Sequence, residues 1–175
     1  MGQSRYEYAV SQGLFSGTSA TTFSPDTAMT RGMFVTVLGR LAGADVKGYQ
    51  ASSFDDVQNG LYYIGFIEWA NQSGIVKGMG AKQFAPNQAI TREQMAVIIS
   101  NYAKNMKLKL KPVQEEKHFA DSDKISAYAE EAVKEMQMAG LLNGKVNNLF
   151  DPQGTATRSE VSSVLHRFVV AINKA

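Results

Sequence analysis

The chain has 175 residues, 44% of them hydrophobic, with a formal net charge of +2 and no cysteine. That length and apolar content suit one domain or a few small modules with a real core. The small charge provides no dense basic stripe for nucleic acid, and the missing cysteine excludes disulfides, thiolate metal sites and thiol nucleophiles. No apolar run is long enough to span a bilayer, and the opening "MGQSRYEYAV" has no apolar h-region of a signal peptide.

In chain order, the first element is "GLFSGTSATTFSPDTAMTRGMFVTVLGRLAG" from Gly13. It reads as a long loop through Gly17, Phe23 and Pro25, then a helix opening at Thr30-Arg31 with Phe34, Val37, Leu38 and Leu41 on one face. A short polar linker, 44–53, leads to "FDDV", with Phe54 and Asp56 in an F-x-D pattern. "LYYIGFIEWANQSG" follows as a helix with Ile64, Ile67 and Ala70 at helical spacing, ended by Gly74 as a left-handed cap. The loop pattern then recurs without a gap through Gly78, Phe84, Pro86 and Thr91-Arg92, into a helix with Met95, Ile98, Ile99 and Tyr102.

Residues 105–118, "NMKLKLKPVQEEKH", alternate Lys and Leu before a proline and read as an extended connection with its charges outward. "FADS" repeats F-x-D at Phe119 and Asp121. The helix "AYAEEAVKEMQMAG" carries Ala129, Val133 and Met136 on one face and ends at Gly140. A third copy of the loop passes Gly144, Phe150, Pro152 and Thr157-Arg158 into a helix with Val161, Val164, Leu165 and Phe168. Such self-similarity at fixed offsets defines a repeat architecture.

The expected fold is therefore all-α: three helix–loop–helix repeats with pseudo-threefold symmetry around a central helix bundle, together one compact domain. The repeats span 1–43, 54–106 and 119–175. Repeat one has no F-x-D segment in the chain, so the chain is expected to begin inside a repeat, as part of a longer polypeptide. The loop phenylalanines are expected to anchor the loops in the core. Thr91 with Gln94 and Thr157 with Glu160 have capping-box spacing. Repeat one has Met33 there and Gly32 in its first turn.

Arg31, Arg92 and Arg158 each open a helix, at the end where the macrodipole disfavours a cation. Two explanations stand side by side. Free amides at the helix start and a guanidinium fork together suit a carboxylate or phosphate. Alternatively each arginine pairs with an acid of a neighbouring repeat, such as Asp56 or Asp121, and ties the repeats together.

F-x-D, G-x-x-x-G, F-x-P and T-R-x-(E/Q) together resemble the S-layer homology (SLH) domain, in three tandem copies covering nearly the whole chain. The resemblance implies a bacterial, exported module that holds a larger protein non-covalently at the cell wall by binding secondary cell-wall polysaccharide, commonly pyruvylated. It implies a three-pronged spindle with ligand grooves between adjacent repeats, and it makes Arg31, Arg92 and Arg158 the chief anion contacts. Repeat one departs at Gly32 and Met33 and lacks its F-x-D. A looser first turn there ranks the Arg92 and Arg158 grooves above that of Arg31.

The expected glycan-binding set is completed by Thr30, Thr91 and Thr157, by Asp56 and Asp121, and by Gly17, Gly78 and Gly144. Lys77 joins it because repeats one and three have polar Ser16 and Asn143 in its place. Trp69, the one tryptophan, either packs between helices or stacks on a sugar. His118 and His166 lack metal-ligand spacing, and no cofactor is expected. Asp55/Asp56, Asp121/Asp123 and Glu130/Glu131 are not marked as a convergent acid/base pair, so an enzyme is not expected. The alternative function is a structural self-association module in which the arginines are inter-repeat ties.

Overall fold

The computed structural model describes residues 24–173. Gly13, Ser16, Gly17 and Phe23 of the first loop lie outside them. Among the described residues the regular structure is helical: α1 (Arg31–Leu41), α2 (Ile64–Gln72), α3 (Arg92–Asn105), α4 (Glu130–Met138) and α5 (Arg158–Asn173). No strand occurs among them, only isolated bridges. The all-α expectation is met. Both short helices, α2 and α4, begin three residues inside the predicted stretches. Gly74 and Gly140 follow them with φ of +69° and +70°, the left-handed conformation a side chain would resist.

The predicted apolar faces form one core. Phe34, Leu38, Ile67, Ala70, Met95, Ile99, Met136, Val161 and Phe168 have no exposed surface. Helix α1 packs on α2, and α3 on α4. Tyr102 of α3 meets Phe168 of α5 with ring centroids 5.7 Å apart. The loop anchors Phe84 and Phe150 are fully buried, as expected. In the connection after α3, Leu108 and Leu110 lie on the core while Lys107, Lys109 and Lys111 face solvent.

The three helix starts are joined by a closed ring of backbone hydrogen bonds. Met29 N donates to Ala156 O, Ala156 N to Ile90 O, and Ile90 N to Met29 O. The next turn forms a second circuit that runs in the opposite sense. Arg31 N donates to Gln88 O, Arg92 N to Gly154 O, and Arg158 N to Thr27 O. Gly32, Glu93 and Ser159 donate likewise to Pro86, Pro152 and Pro25. Each repeat's helix thus starts against the next repeat's F-x-P loop. An isolated helix leaves its first amides without partners; here the neighbouring loop supplies them.

That loop is strained and held. The residue between Phe and Pro has positive φ in every repeat: Ser24 at 50°, Ala85 at 58° and Asp151 at 59°. Non-glycine residues occupy this region at a cost of order 1–3 kcal/mol, so something must over-determine it. In repeats two and three this is the F-x-D aspartate. Asp56 accepts from the Phe84 and Ala85 amides at 2.8 and 2.7 Å. Asp121 accepts from Phe150 and Asp151 at 2.7 and 2.8 Å.

Burial pushes the Asp121 carboxyl upward, and the amide bonds outweigh it, leaving the group below its ordinary value of 3.8. A depressed carboxylate stabilises the fold fully above the ordinary value, and that contribution is lost as pH falls through the folded value. Thermal melts should therefore fall away below about pH 4. Asp121→Asn should lose about 1–3 kcal/mol at neutral pH and show a shallower acid limb. An acid limb unchanged by the substitution would remove Asp121 as its source.

Candidate functional site

The arginines that open α1 and α3 lean towards the following repeat's loop. Arg31 Nε donates to Phe84 O at 2.8 Å, with its guanidinium carbon 4.7 Å from the Phe84 ring centroid. Arg92 repeats this on Phe150, at 2.8 Å and 5.1 Å. Arg31, Arg92 and Arg158 are all buried, at 3%, 4% and 6% exposure. Burial lowers all three guanidinium pKa values, yet arginine remains charged at any physiological pH.

What the outer ends of these arginines meet differs. Arg92 Nη2 donates to Asn143 O at 2.9 Å, and Nη1 pairs with Glu160 at 3.4 Å. Glu160 is the third residue of α5. In α3 the same position holds Gln94, and in α1 it holds Met33. Arg31 therefore faces a neutral amide where Arg92 faces a carboxylate. Among the described residues its two terminal nitrogens have no hydrogen-bond partner.

Arg31 lines a cleft of about 630 Å³ that gathers residues from all three repeats. Arg31 comes from repeat one, Lys77, Gly78, Met79, Gln94 and Asn101 from repeat two, and Tyr128 from repeat three. Its charged lining residues are both cations, Arg31 and Lys77. A volume of this size takes one or two sugar rings. A buried guanidinium without an ion pair among the described residues, in a cleft that also has a lysine in its lining, suits a carboxylate or other oxyanion.

Several expectations change here. The helix-start amides are not free for an anion: the first two of each helix are spent on the neighbouring loop. The third amide in α1 and α3 goes to the threonine hydroxyl, at 3.2 and 3.3 Å, and in α5 at 3.2 Å. Both predicted capping boxes are present, with Gln94 and Glu160 returning a bond to the threonine amides. Thr30, Thr91 and Thr157 thus have caps as their observed role. The first turn of repeat one is not loose, because Gly32 N is held by Pro86 O at 2.9 Å. The loose first turn on which the ranking of Arg31 last rested is not present in the structure.

Asp56 and Asp121 do not pair with the arginines; their oxygens are taken by the loop amides. Gly78 and Gly144 are packing positions. A Cβ on Gly78 would stand 2.7 Å from Gln83 O and 2.8 Å from the Phe54 ring, and one on Gly144 would stand 2.7 Å from the Phe119 ring. The F-x-D phenylalanine and the second glycine thus explain each other. Gly78→Ala should cost about 1–3 kcal/mol through overpacking, read as a lowered melting temperature; an unchanged one would refute the packing role. Trp69 is 9% exposed in the core and does not line the cleft. The sequence reading missed Tyr128, whose ring is 61% exposed on the cleft. The signal was its alignment with Tyr62, both exposed aromatics just ahead of a helix.

The fold and cleft define a class: a helical repeat module with a cationic cleft and, among the described residues, no cluster able to hold a metal. The S-layer homology domain model matches residues 7–32, 53–96 and 118–162. The chain belongs to the S-layer homology family, as three tandem repeats. It is 36% identical to an endoglucanase of Bacillus sp. (strain KSM-635) over 88% of its own length and 16% of that protein's. It is 33% identical to exoglucanase XynX of Acetivibrio thermocellus, over 91% of the chain and 14% of the enzyme. It is 25% identical to S-layer protein sap of Bacillus anthracis, over 90% of the chain and 19% of that protein. The chain spans less than a fifth of each of these relatives. Its place is the bacterial cell surface.

Proposed function

We propose that this chain is a non-catalytic anchor that binds an anionic, pyruvylated secondary cell-wall polysaccharide and so holds a larger secreted polypeptide on the wall. The observation that carries the reading is the Arg31 guanidinium. Its terminal nitrogens have no hydrogen-bond partner among the described residues, and it lines a cleft whose charged lining residues are both cations. The endoglucanase and exoglucanase names belong to proteins several times longer than this chain, which aligns with a small part of each. That fits an appended module, spanning repeats 1–43, 54–106 and 119–175. The cyclic hydrogen bonds through Met29, Ile90 and Ala156 support a pseudo-threefold spindle with grooves between its prongs.

The carboxylate of a pyruvate ketal would sit on Arg31, with Lys77 adding long-range attraction. Such attraction is screened over about 10 Å at 0.1 M salt, so affinity should weaken as salt rises. Co-sedimentation with purified wall sacculi tests the reading. The chain should pellet with intact sacculi, stay in solution once the wall polysaccharide is removed, and be released by free pyruvylated disaccharide. Equal pelleting with and without the polysaccharide would refute it.

One observation favours the second reading. Arg92 ties repeats two and three through Phe150, Asn143 and Glu160. A structural self-association module built on such ties predicts concentration-dependent assembly without any wall polymer, which sedimentation velocity would detect.

A further inference from the structure

Glu93 is the second residue of α3, where α1 has Gly32 and α5 has Ser159. Its carboxylate is 2% exposed and has no ion pair among the described residues. It accepts from Ser126 N at 3.0 Å, Ser126 Oγ at 2.8 Å and Gln153 Nε2 at 2.7 Å. Those three bonds fasten repeat three to the start of α3. The fourth is of another kind: it comes from Tyr128 Oη at 3.0 Å. The Tyr128 ring stands in the Arg31 cleft and is otherwise in solvent. An exposed side chain ordinarily changes rotamer on the picosecond-to-nanosecond scale. A ring held at its far end by a bond to a buried carboxylate, stronger than a neutral bond, does not swing freely.

The same fold contains a natural comparison. Tyr62 is the equivalent residue of repeat two, 57% exposed and near enough to Arg158 for the two groups to influence each other's charge. The position matching Glu93 is there Gly32, which has no carboxylate to offer. The hydroxyl of Tyr62 has no hydrogen-bond partner among the described residues, and its ring lies edge-on to Tyr63 at 5.0 Å.

We infer that Glu93 is a positioning residue of the Arg31 cleft: through the Tyr128 hydroxyl it fixes an aromatic wall against which a bound sugar ring packs while Arg31 takes the carboxylate. This rests on the glycan reading above. A wall fixed before the ligand arrives spares the ordering entropy that a free ring would lose on binding. The burial and the Glu93 bond that hold the hydroxyl also push the Tyr128 phenol up to about 12. The Tyr62 ring, near Arg158, has no such tether.

Matched tyrosine substitutions test this. Tyr128→Phe keeps the ring and removes only the tether. It should weaken binding of the free pyruvylated disaccharide, read by calorimetry, roughly three- to tenfold with little change in melting temperature. Tyr62→Phe should leave affinity unchanged. Glu93→Ala should weaken binding to the same degree, and adding it to Tyr128→Phe should cost no further affinity. Without ligand, the NMR signals of a labelled Tyr128 ring should show greater motion in Glu93→Ala than in the wild type. Full affinity in Tyr128→Phe, equal losses in Tyr128→Phe and Tyr62→Phe, or additive losses in the double variant would each overturn the inference while leaving the anchor intact. A wild-type chain that ignores the disaccharide, with the ring still loosened in Glu93→Ala, overturns the glycan reading and the recognition role of Glu93 together.

Discussion

Arg31→Ala abolishes detectable binding of a pyruvylated wall disaccharide and leaves a folded protein. Arg31 lines the cleft with two terminal nitrogens that have no hydrogen-bond partner among the described residues, so its loss removes the group proposed to meet the carboxylate. Truncating a buried, hydrogen-bonded charge costs about 2–5 kcal/mol of affinity, at least a thirtyfold rise in Kd. The structural loss is smaller, since the hydrogen bond given up inside the protein is that of Nε to Phe84 O. Arg31→Lys should rescue only part of the affinity, because an ammonium cannot present two parallel donors to a carboxylate. Calorimetry on the two variants checks both statements. Retained wild-type affinity in Arg31→Ala would place the ligand elsewhere.

Arg92→Ala gives the opposite result: a large loss of stability. Arg92 satisfies two loop carbonyls, Phe150 O and Asn143 O, and pairs with Glu160. Removing it leaves buried acceptors without donors at about 1–3 kcal/mol each. The ion pair contributes less than a fully buried one, because the Glu160 side chain is 33% exposed. A total of roughly 2–4 kcal/mol corresponds to a fall in melting temperature of about 5–15 °C for a chain of this size. Glu160→Gln makes the reverse point: it gives Arg92 the neutral neighbour that Arg31 has in Gln94. A melting temperature for Arg92→Ala close to that of Arg31→Ala would contradict the division of roles.

Much of this was legible in the sequence. The three-copy pattern, the helix faces around Phe34, Met95 and Val161, the capping boxes and the left-handed ends at Gly74 and Gly140 all follow from periodicity and local backbone preferences. Local rules reach these features because their partners lie within a few residues. The functions of Asp56 and Asp121 were hidden because their partners lie 28 to 30 residues away. The same holds for Gly78, whose constraint is the ring of Phe54.

The largest change concerned the third helical position. Read within one repeat, Glu160 completes a cap and Met33 spoils one, so repeat one looked weakest. In three dimensions that position faces the arginine of the preceding repeat. Glu160 therefore also neutralises Arg92, while Gln94 leaves Arg31 open. The helix-start arginine is explained on the same basis. At Arg31 and Arg92 the helix-start amides are spent on the next loop, Nε holds that loop's phenylalanine carbonyl, and the remainder differs: a tie at Arg92, terminal nitrogens without a hydrogen-bond partner among the described residues at Arg31.

The most direct test is a crystal structure of the chain soaked with the pyruvylated disaccharide. The ligand carboxylate should lie within hydrogen-bonding distance of the Arg31 terminal nitrogens, with a sugar ring against Tyr128 and the Arg92–Glu160 pair unbroken. A carboxylate bound at Arg92 with Glu160 displaced, and an empty Arg31 cleft, would contradict the account.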